Sequence, residues 1–218
     1  ETELGVNLDC EMSVIQKAME EIGICFLMAP RHHMAMRHVA TSRSELGTRT
    51  IFNILGPLAN PALVKKQLVG VFSEAWVEPM AQVLKGLGSE RAWVVHGSDG
   101  LDEITTTGVT KVAALDKGSV STFTIHPEDA NLELADPKQL KGGLPGQNAM
   151  ALANLLRGEK GPYRDIVLFN SAAAFIIAEK VDNLKEGTEL AAEMIDTGQA
   201  RQKLDQLISI TAHTGKEI

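Results

Sequence analysis

The sequence is poor in the residue patterns that announce familiar chemistry. Its 218 residues include only two cysteines. Cys10 and Cys25 form no spaced ligand motif and sit in partly apolar stretches, so a disulfide framework is excluded and reduced thiols are expected. The longest apolar run, residues 172–178, falls far short of the roughly 20 residues a membrane span needs. No charged-then-apolar leader opens the sequence. Basic residues are outnumbered, 21 against 28, for a formal net charge of −7. That balance disfavours nucleic acid or an anionic membrane as a partner, while leaving room for a local basic pocket that binds phosphate. Neither GxGxxG nor GxxxxGK[ST] occurs, so Gly142-Gly143 and Gly146 read as a plain loop and not a phosphate cradle. His32, His33 and His38 contain no i, i+4 pair and no cysteine cluster joins them, so no zinc site is expected. His126 and His213 read as surface residues. Internal repeats and low-complexity tracts are absent as well. These absences lead to the expectation of a soluble, cytoplasmic protein.

A hydrophobic content of 44% in a chain of this size supports a real core, as one large domain or a domain with a small lobe. Glu1 to Gly5 reads as the end of a helix with its stopping glycine, which suggests that the sequence starts inside a longer protein. Ile15, Ala18, Met19 and Ile22 recur at helical spacing, with Gly23 as the stop. Ile24 to Met28 fits a strand or a buried turn. A second helix is expected over His33 to Leu46, with Ala35, Val39, Ser42 and Leu46 as its buried stripe. His33, Met36, Ala40 and Arg43 would then line up on another face. Gly47 ends it, and Gly56 to Pro61 is expected to be a loop that hinges two lobes.

Beyond Lys66 the pattern alternates. Gln67–Phe72 and Arg91–His96 read as strands buried on both faces, with a helix over Val77–Leu87 between them. Thr110–Leu115 and Val120–Ile125 read as strands around a turn at Asp116-Lys117-Gly118. Helices are expected over Asn148–Leu156, Asp165–Lys180 and Gly187 to about Ile210. The fold class is therefore α/β: part of a small helical lobe followed by a mixed α/β domain.

Two groups of residues point to chemistry. Asp102 and Glu103 follow a strand and the sharp loop Gly97-Ser98-Asp99-Gly100, at the carboxyl end of a sheet strand where α/β proteins tend to bind ligands. Adjacent carboxylates there suit Mg²⁺, which takes one or two carboxylates and completes its shell with water and phosphate. A solvated acidic loop, or Asp102 as a helix cap, accounts for the same residues. Arg43, on a helix face with His33 and Met36, could grip a planar carboxylate with two parallel bonds. A surface arginine paired with Glu45 or Glu21 is the plainer alternative. Thr105-Thr106-Thr107-Gly108 places hydroxyls beside the acidic pair.

Taken together, the stretches become specific. Arg49-Thr-Ile-Phe-Asn-Ile-Leu-Gly-Pro-Leu-Ala-Asn-Pro61, then Val94-Val-His-Gly-Ser-Asp-Gly-Leu-Asp-Glu-Ile104, resemble the anthranilate phosphoribosyltransferases. Arg157-Gly-Glu-Lys-Gly-Pro162 and Leu168-Phe-Asn-Ser-Ala-Ala173 resemble the same family. The resemblance covers essentially the whole chain in order. It implies the nucleoside-phosphorylase-like transferase fold, here incomplete, with 1–10 as a remnant of the α/β domain, 11–58 as helices and hinge of the small lobe, and 59–218 as α/β domain. It implies transfer of a phosphoribosyl group from phosphoribosyl pyrophosphate to the amine of anthranilate, in tryptophan biosynthesis. Arg43 would hold the anthranilate carboxylate, and Pro30, His33, Met36, Gly56 and Pro57 would line the acceptor site. Asp102 and Glu103 would bind Mg²⁺ carrying the pyrophosphate. Met34 stands where the family commonly has a small residue or proline, and Met36 where it often has an aromatic. Its GTGGD loop and KHGN segment, which grip the donor, would lie before Glu1, as would the helices of its homodimer contact. The chain is thus expected to be a carboxyl-terminal part of the enzyme, inactive alone. Two alternatives remain open, a pyrimidine nucleoside phosphorylase of the same fold and a non-catalytic relative that binds nucleic acid.

Overall fold

A computed structural model describes residues 1–28, 31 and 52–212. The chain packs as two compact units. One comprises residues 1–48, 142–159 and 194–218, and the other comprises residues 49–141 and 160–193.

In the first unit, helix α1 (Met12–Ile22) buries Ile15 and Ala18 and ends at Gly23, whose φ of 75° reverses the chain. Met19, expected on the buried stripe, is exposed. Residues 24–28 form neither strand nor helix. The helix over Gln199–Ala212 packs on α1 through a cluster that includes Val6, Ala18 and Leu207.

The second unit is a four-stranded mixed sheet in the order β1-β2-β3-β4. Its strands are β1 (Lys66–Gly70), β2 (Arg91–Gly97), β3 (Thr110–Asp116) and β4 (Ser119–Ile125). β1 and β2 run parallel, while β2-β3 and β3-β4 are antiparallel. Helix α2 (Phe52–Leu58) precedes the sheet, and α3 (Val77–Gly86) joins the two parallel strands. Downstream, α5 (Pro162–Ile177) and most of α6 (Leu184–Asp196) belong to this unit, whereas α4 (Pro145–Leu155) and α7 (Gln199–Ala212) belong to the first.

The apolar runs of β2 and β3 follow from coverage on both faces. On one side Met80, Ala81 and Leu84 of α3 meet Val94, Ala113 and Leu115. On the other, Phe169, Ala172 and Ala173 of α5 meet Val95, Val112 and Ile125. A strand with helices on both sides has no face left for polar residues. β4 is mostly exposed, as suits an edge strand, and its Phe123 stacks edge-on against Trp93 with ring centroids 5.4 Å apart.

Two local expectations are corrected. The hinge loop expected at Gly56–Pro61 begins inside a helix, because α2 runs through Pro57 to Leu58. A residue before proline normally clashes in the helical region, and Gly56 has no Cβ to clash. The single helix expected from Gly187 to Ile210 is two helices, α6 and α7, with Gly198 at φ 76° between them. The central helix expected over His33–Leu46 lies outside the described residues.

Candidate active site

The loop that carries Asp102 and Glu103 leaves the carboxyl end of β2 at Gly97 and enters β3 at Thr110. Because β1 and β2 are parallel, the carboxyl end of β1 lies at the same side of the sheet. Three anchors hold the loop there.

The first is internal. Asp99 accepts the amide of Leu101 at 3.1 Å and the hydroxyls of Thr105 and Thr107, each at 2.6 Å. Burial works against charge on Asp99, but the two hydroxyls and the amide outweigh it and hold the carboxyl below its usual range. The Gly97 amide donates to Leu101 O and the Ser98 amide to Val109 O, both at 2.9 Å, which closes the base of the loop.

The second anchor comes from α5. Asn170 Oδ1 accepts the amide of Ile104 at 3.0 Å, and its Nδ2 donates to Ile104 O at 2.8 Å and Ile166 O at 2.9 Å. Ile104 itself is fully buried in the α5-side core.

The third is steric. A Cβ on Gly70, the last residue of β1, would stand 1.5 Å from Asp102 O and 2.4 Å from Asp102 C. Only glycine lets the strand and the loop approach this closely.

Asp102 and Glu103 are both exposed. Loss of part of its hydration, then repulsion from Asp102 and Asp99, pushes the Glu103 carboxyl above its ordinary value. Burial, with the charge of Glu103, also pushes the Tyr163 phenol up. The two carboxylates serve different hollows. Asp102 lines a pocket of about 180 Å³ with Asn53, Pro57, Gly70, Phe72 and Met80. Glu103 lines a groove of about 560 Å³ with Leu101, Tyr163, Val167, Asn170 and Ser171.

Of the residues singled out from the sequence, Asp102 and Pro57 therefore meet at one pocket, with Glu103 next in the chain. Gly56 precedes Pro57 on α2 and is half-buried. Pro30, His33, Met36 and Arg43 lie outside the described residues. Among the described residues no group of three or more His, Cys, Asp or Glu could hold a metal ion. A cation on Asp102 and Glu103 would find no third ligand of these types grouped with them among the described residues. No helix among the described residues is long and apolar enough to cross a membrane.

Asp99, Gly70 and Asn170 were not singled out as site residues. An Asp two residues before an amide it can accept is a legible turn signal. A lone Asn in the apolar run Leu168-Phe-Asn-Ser-Ala-Ala173 is another, since a half-buried amide needs partners. Nothing in the sequence marks the contact of Gly70, which exists only once strand and loop are brought together.

The sequence model described as "Glycosyl transferase family, a/b domain" matches residues 2–201. An anthranilate phosphoribosyltransferase of Paramagnetospirillum magneticum is 55% identical over 213 residues, 98% of this chain and 62% of the relative. One of Azospirillum brasilense is 58% identical over 208 residues, 95% of this chain and 58% of the relative. The crystal structure of anthranilate phosphoribosyltransferase from Thermus thermophilus superposes with a TM-score of 0.90 at 42% identity, covering 97% of this chain and 63% of that one. The Saccharomyces cerevisiae enzyme in complex with PRPP and Mg superposes at 0.86 with 31% identity, covering 97% and 61%. The chain thus spans less than two thirds of the length of these relatives. With a family match over most of its residues and the α/β fold of those solved structures, the chain belongs to the glycosyl transferase family, a/b domain.

Proposed function

We propose that the protein carrying this chain is an anthranilate phosphoribosyltransferase. It transfers the phosphoribosyl group of phosphoribosyl pyrophosphate to the amine of anthranilate and releases pyrophosphate, a step of tryptophan biosynthesis. The observation that carries this reading is the shared pocket of Pro57 and Asp102 at the carboxyl end of β1, with Glu103 one residue on. Pro57 belongs to the acceptor side and Asp102 to the donor side of the reaction, and a transferase must bring the two together.

Asp102 and Glu103 fit Mg²⁺. They are exposed and adjacent, and Glu103 sits in a negative field that a cation would relieve. When bound, Mg²⁺ would neutralise charge on the departing pyrophosphate. The chain's own residues do the rest. Arg43 would receive the anthranilate carboxylate in a two-pronged contact that aims the weak aromatic amine at the ribose carbon. Pro30, His33, Met36, Gly56 and Pro57 would flank the ring and keep water from competing with the amine. The division into 1–10, 11–58 and 59–218 belongs to the same reading, as do a homodimeric assembly and a cytoplasmic location.

The test is loss of anthranilate fluorescence on adding phosphoribosyl pyrophosphate and Mg²⁺ to the whole natural protein, with the 218-residue chain assayed alongside. Turnover is expected in the whole protein. Arg43→Ala should raise KM for anthranilate by about tenfold or more, in line with loss of a charge-assisted pair. A whole protein that leaves anthranilate untouched overturns the assignment.

A further inference from the structure

The Asp102-Glu103 pair sits on a surface loop, where side chains ordinarily drift, and the structure shows one residue that ties it to a rigid element. Asn170 engages both backbone groups of Ile104, accepting its amide at 3.0 Å and donating to its carbonyl at 2.8 Å. Such a clamp does for one loop residue what a neighbouring strand does for a sheet residue. It fixes the peptide planes on either side of Ile104, and the first of these is the Glu103–Ile104 peptide. The third bond, from Nδ2 to Ile166 O at 2.9 Å, sets the orientation of the amide. With two carbonyls on the nitrogen side and an amide on the oxygen side, only one placement of N and O satisfies every partner.

Asn170 is well placed to transmit rigidity. It lies on the 16-residue helix α5 beside Phe169, and both Phe169 and Ala173 are fully buried in the core. Asparagine contributes little to helix stability in a helix interior, so the intrinsic preference of α5 does not account for it. On the other side of the pair, Asp102 O rests against Gly70. The two carboxylate residues are therefore held between β1 and α5.

We infer that Asn170 is a positioning residue for the Asp102-Glu103 pair, setting its geometry for a divalent cation carrying pyrophosphate. This rests on the proposed reading of the site. Groups that orient metal ligands without touching the metal typically change metal affinity by about 10–100-fold when removed.

The experiment uses the whole natural protein with Mn²⁺ and inorganic pyrophosphate as the probe, free Mn²⁺ being read by electron paramagnetic resonance. Hydrogen exchange over residues 101–107 is measured in parallel. Asn170→Leu should weaken Mn²⁺ retention by about tenfold or more and speed exchange at the Ile104 amide by a similar factor. Asn170→Ser, too short to span both backbone groups, should do the same if the leucine variant folds poorly. Leu84→Ala, in the core on the opposite face of the sheet, should lose thermal stability and keep wild-type Mn²⁺ retention. Wild-type retention in both Asn170 variants, with the wild type itself binding, overturns the positioning role alone. Faster exchange at Ile104 without loss of Mn²⁺ overturns it too, since the clamp would then be only structural. A wild type that neither retains Mn²⁺ with pyrophosphate nor consumes anthranilate overturns the reading beneath it.

Discussion

Gly70→Ala is the sharpest perturbation the structure offers. The added Cβ would stand 1.5 Å from Asp102 O, where real Cβ atoms essentially never come within 3.0 Å of another heavy atom. The obstacle is backbone, so no rotamer change relieves it. Either the end of β1 or the loop must move by about 1.5 Å. β1 is held by its parallel ladder to β2, whereas residues 102–103 are exposed, so the loop should yield. Overpacking of this kind costs about 1–3 kcal/mol of stability, which lowers Tm. A misplacement of about 1 Å in a catalytic constellation can cost about 100-fold in rate, equivalent to ~2.7 kcal/mol. In the whole natural protein, kcat/KM should therefore fall by about two orders of magnitude while most molecules stay folded at 25 °C. Calorimetry and the anthranilate assay on the same sample separate the two effects. Wild-type Tm with wild-type turnover would show that strand and loop do not meet as described. A lowered Tm with full turnover per folded molecule would show that catalysis does not depend on where Asp102 sits.

Further outcomes follow from the same geometry. Asp99 has a depressed pKa in the folded protein, so its contribution is present above the ordinary carboxylate range and is lost as pH falls through the folded value. Asp99→Asn should flatten the acid side of the stability profile below about pH 4, read by urea unfolding across pH. Glu103→Gln removes a carboxylate repelled by Asp102 and Asp99. It should leave the metal-free protein as stable as wild type or slightly more so, while Mn²⁺ retention with pyrophosphate drops at least about tenfold; a less stable variant would contradict the like-charge reading. Gly187→Ala would press a Cβ to 2.7 Å from Ala172 Cα and Cβ, where α6 crosses α5. It should cost about 1–3 kcal/mol by thermal melting with KM for anthranilate unchanged, and an unaltered Tm would refute the close crossing.

What the sequence disclosed and what it hid divide along physical lines. Patterns set by the local chain were legible. Arg91–His96 and Thr110–Leu115 read as strands because helices cover the sheet on both sides, leaving continuous apolar runs. The turn at Asp116-Lys117-Gly118 was legible because Asp and Gly are turn residues, and Lys117 and Gly118 do take positive φ there. Local rules also misled. Pro57 suggested a break, yet α2 passes through it, since near a helix end a missing N–H forfeits only one bond. Gly198, at φ 76°, hides the break because a lone glycine inside a helical pattern is tolerated at a cost of about 1 kcal/mol. The acidic pair was visible as residue types, but the distant partners of its supporting residues were not. Asn170 lies 66 positions from Ile104, and Gly70 is 32 positions before Asp102 in a different strand. A side-chain amide that must find two backbone groups, and a glycine that must yield space, acquire meaning only when the sheet has brought distant segments to one end. The visible carboxylates therefore suggest which ligand the loop favours, whereas the anchors decide how rigidly it can be held. For that reason Gly70 and Asn170 should affect metal retention and turnover more than their distance in sequence from the acidic pair would suggest.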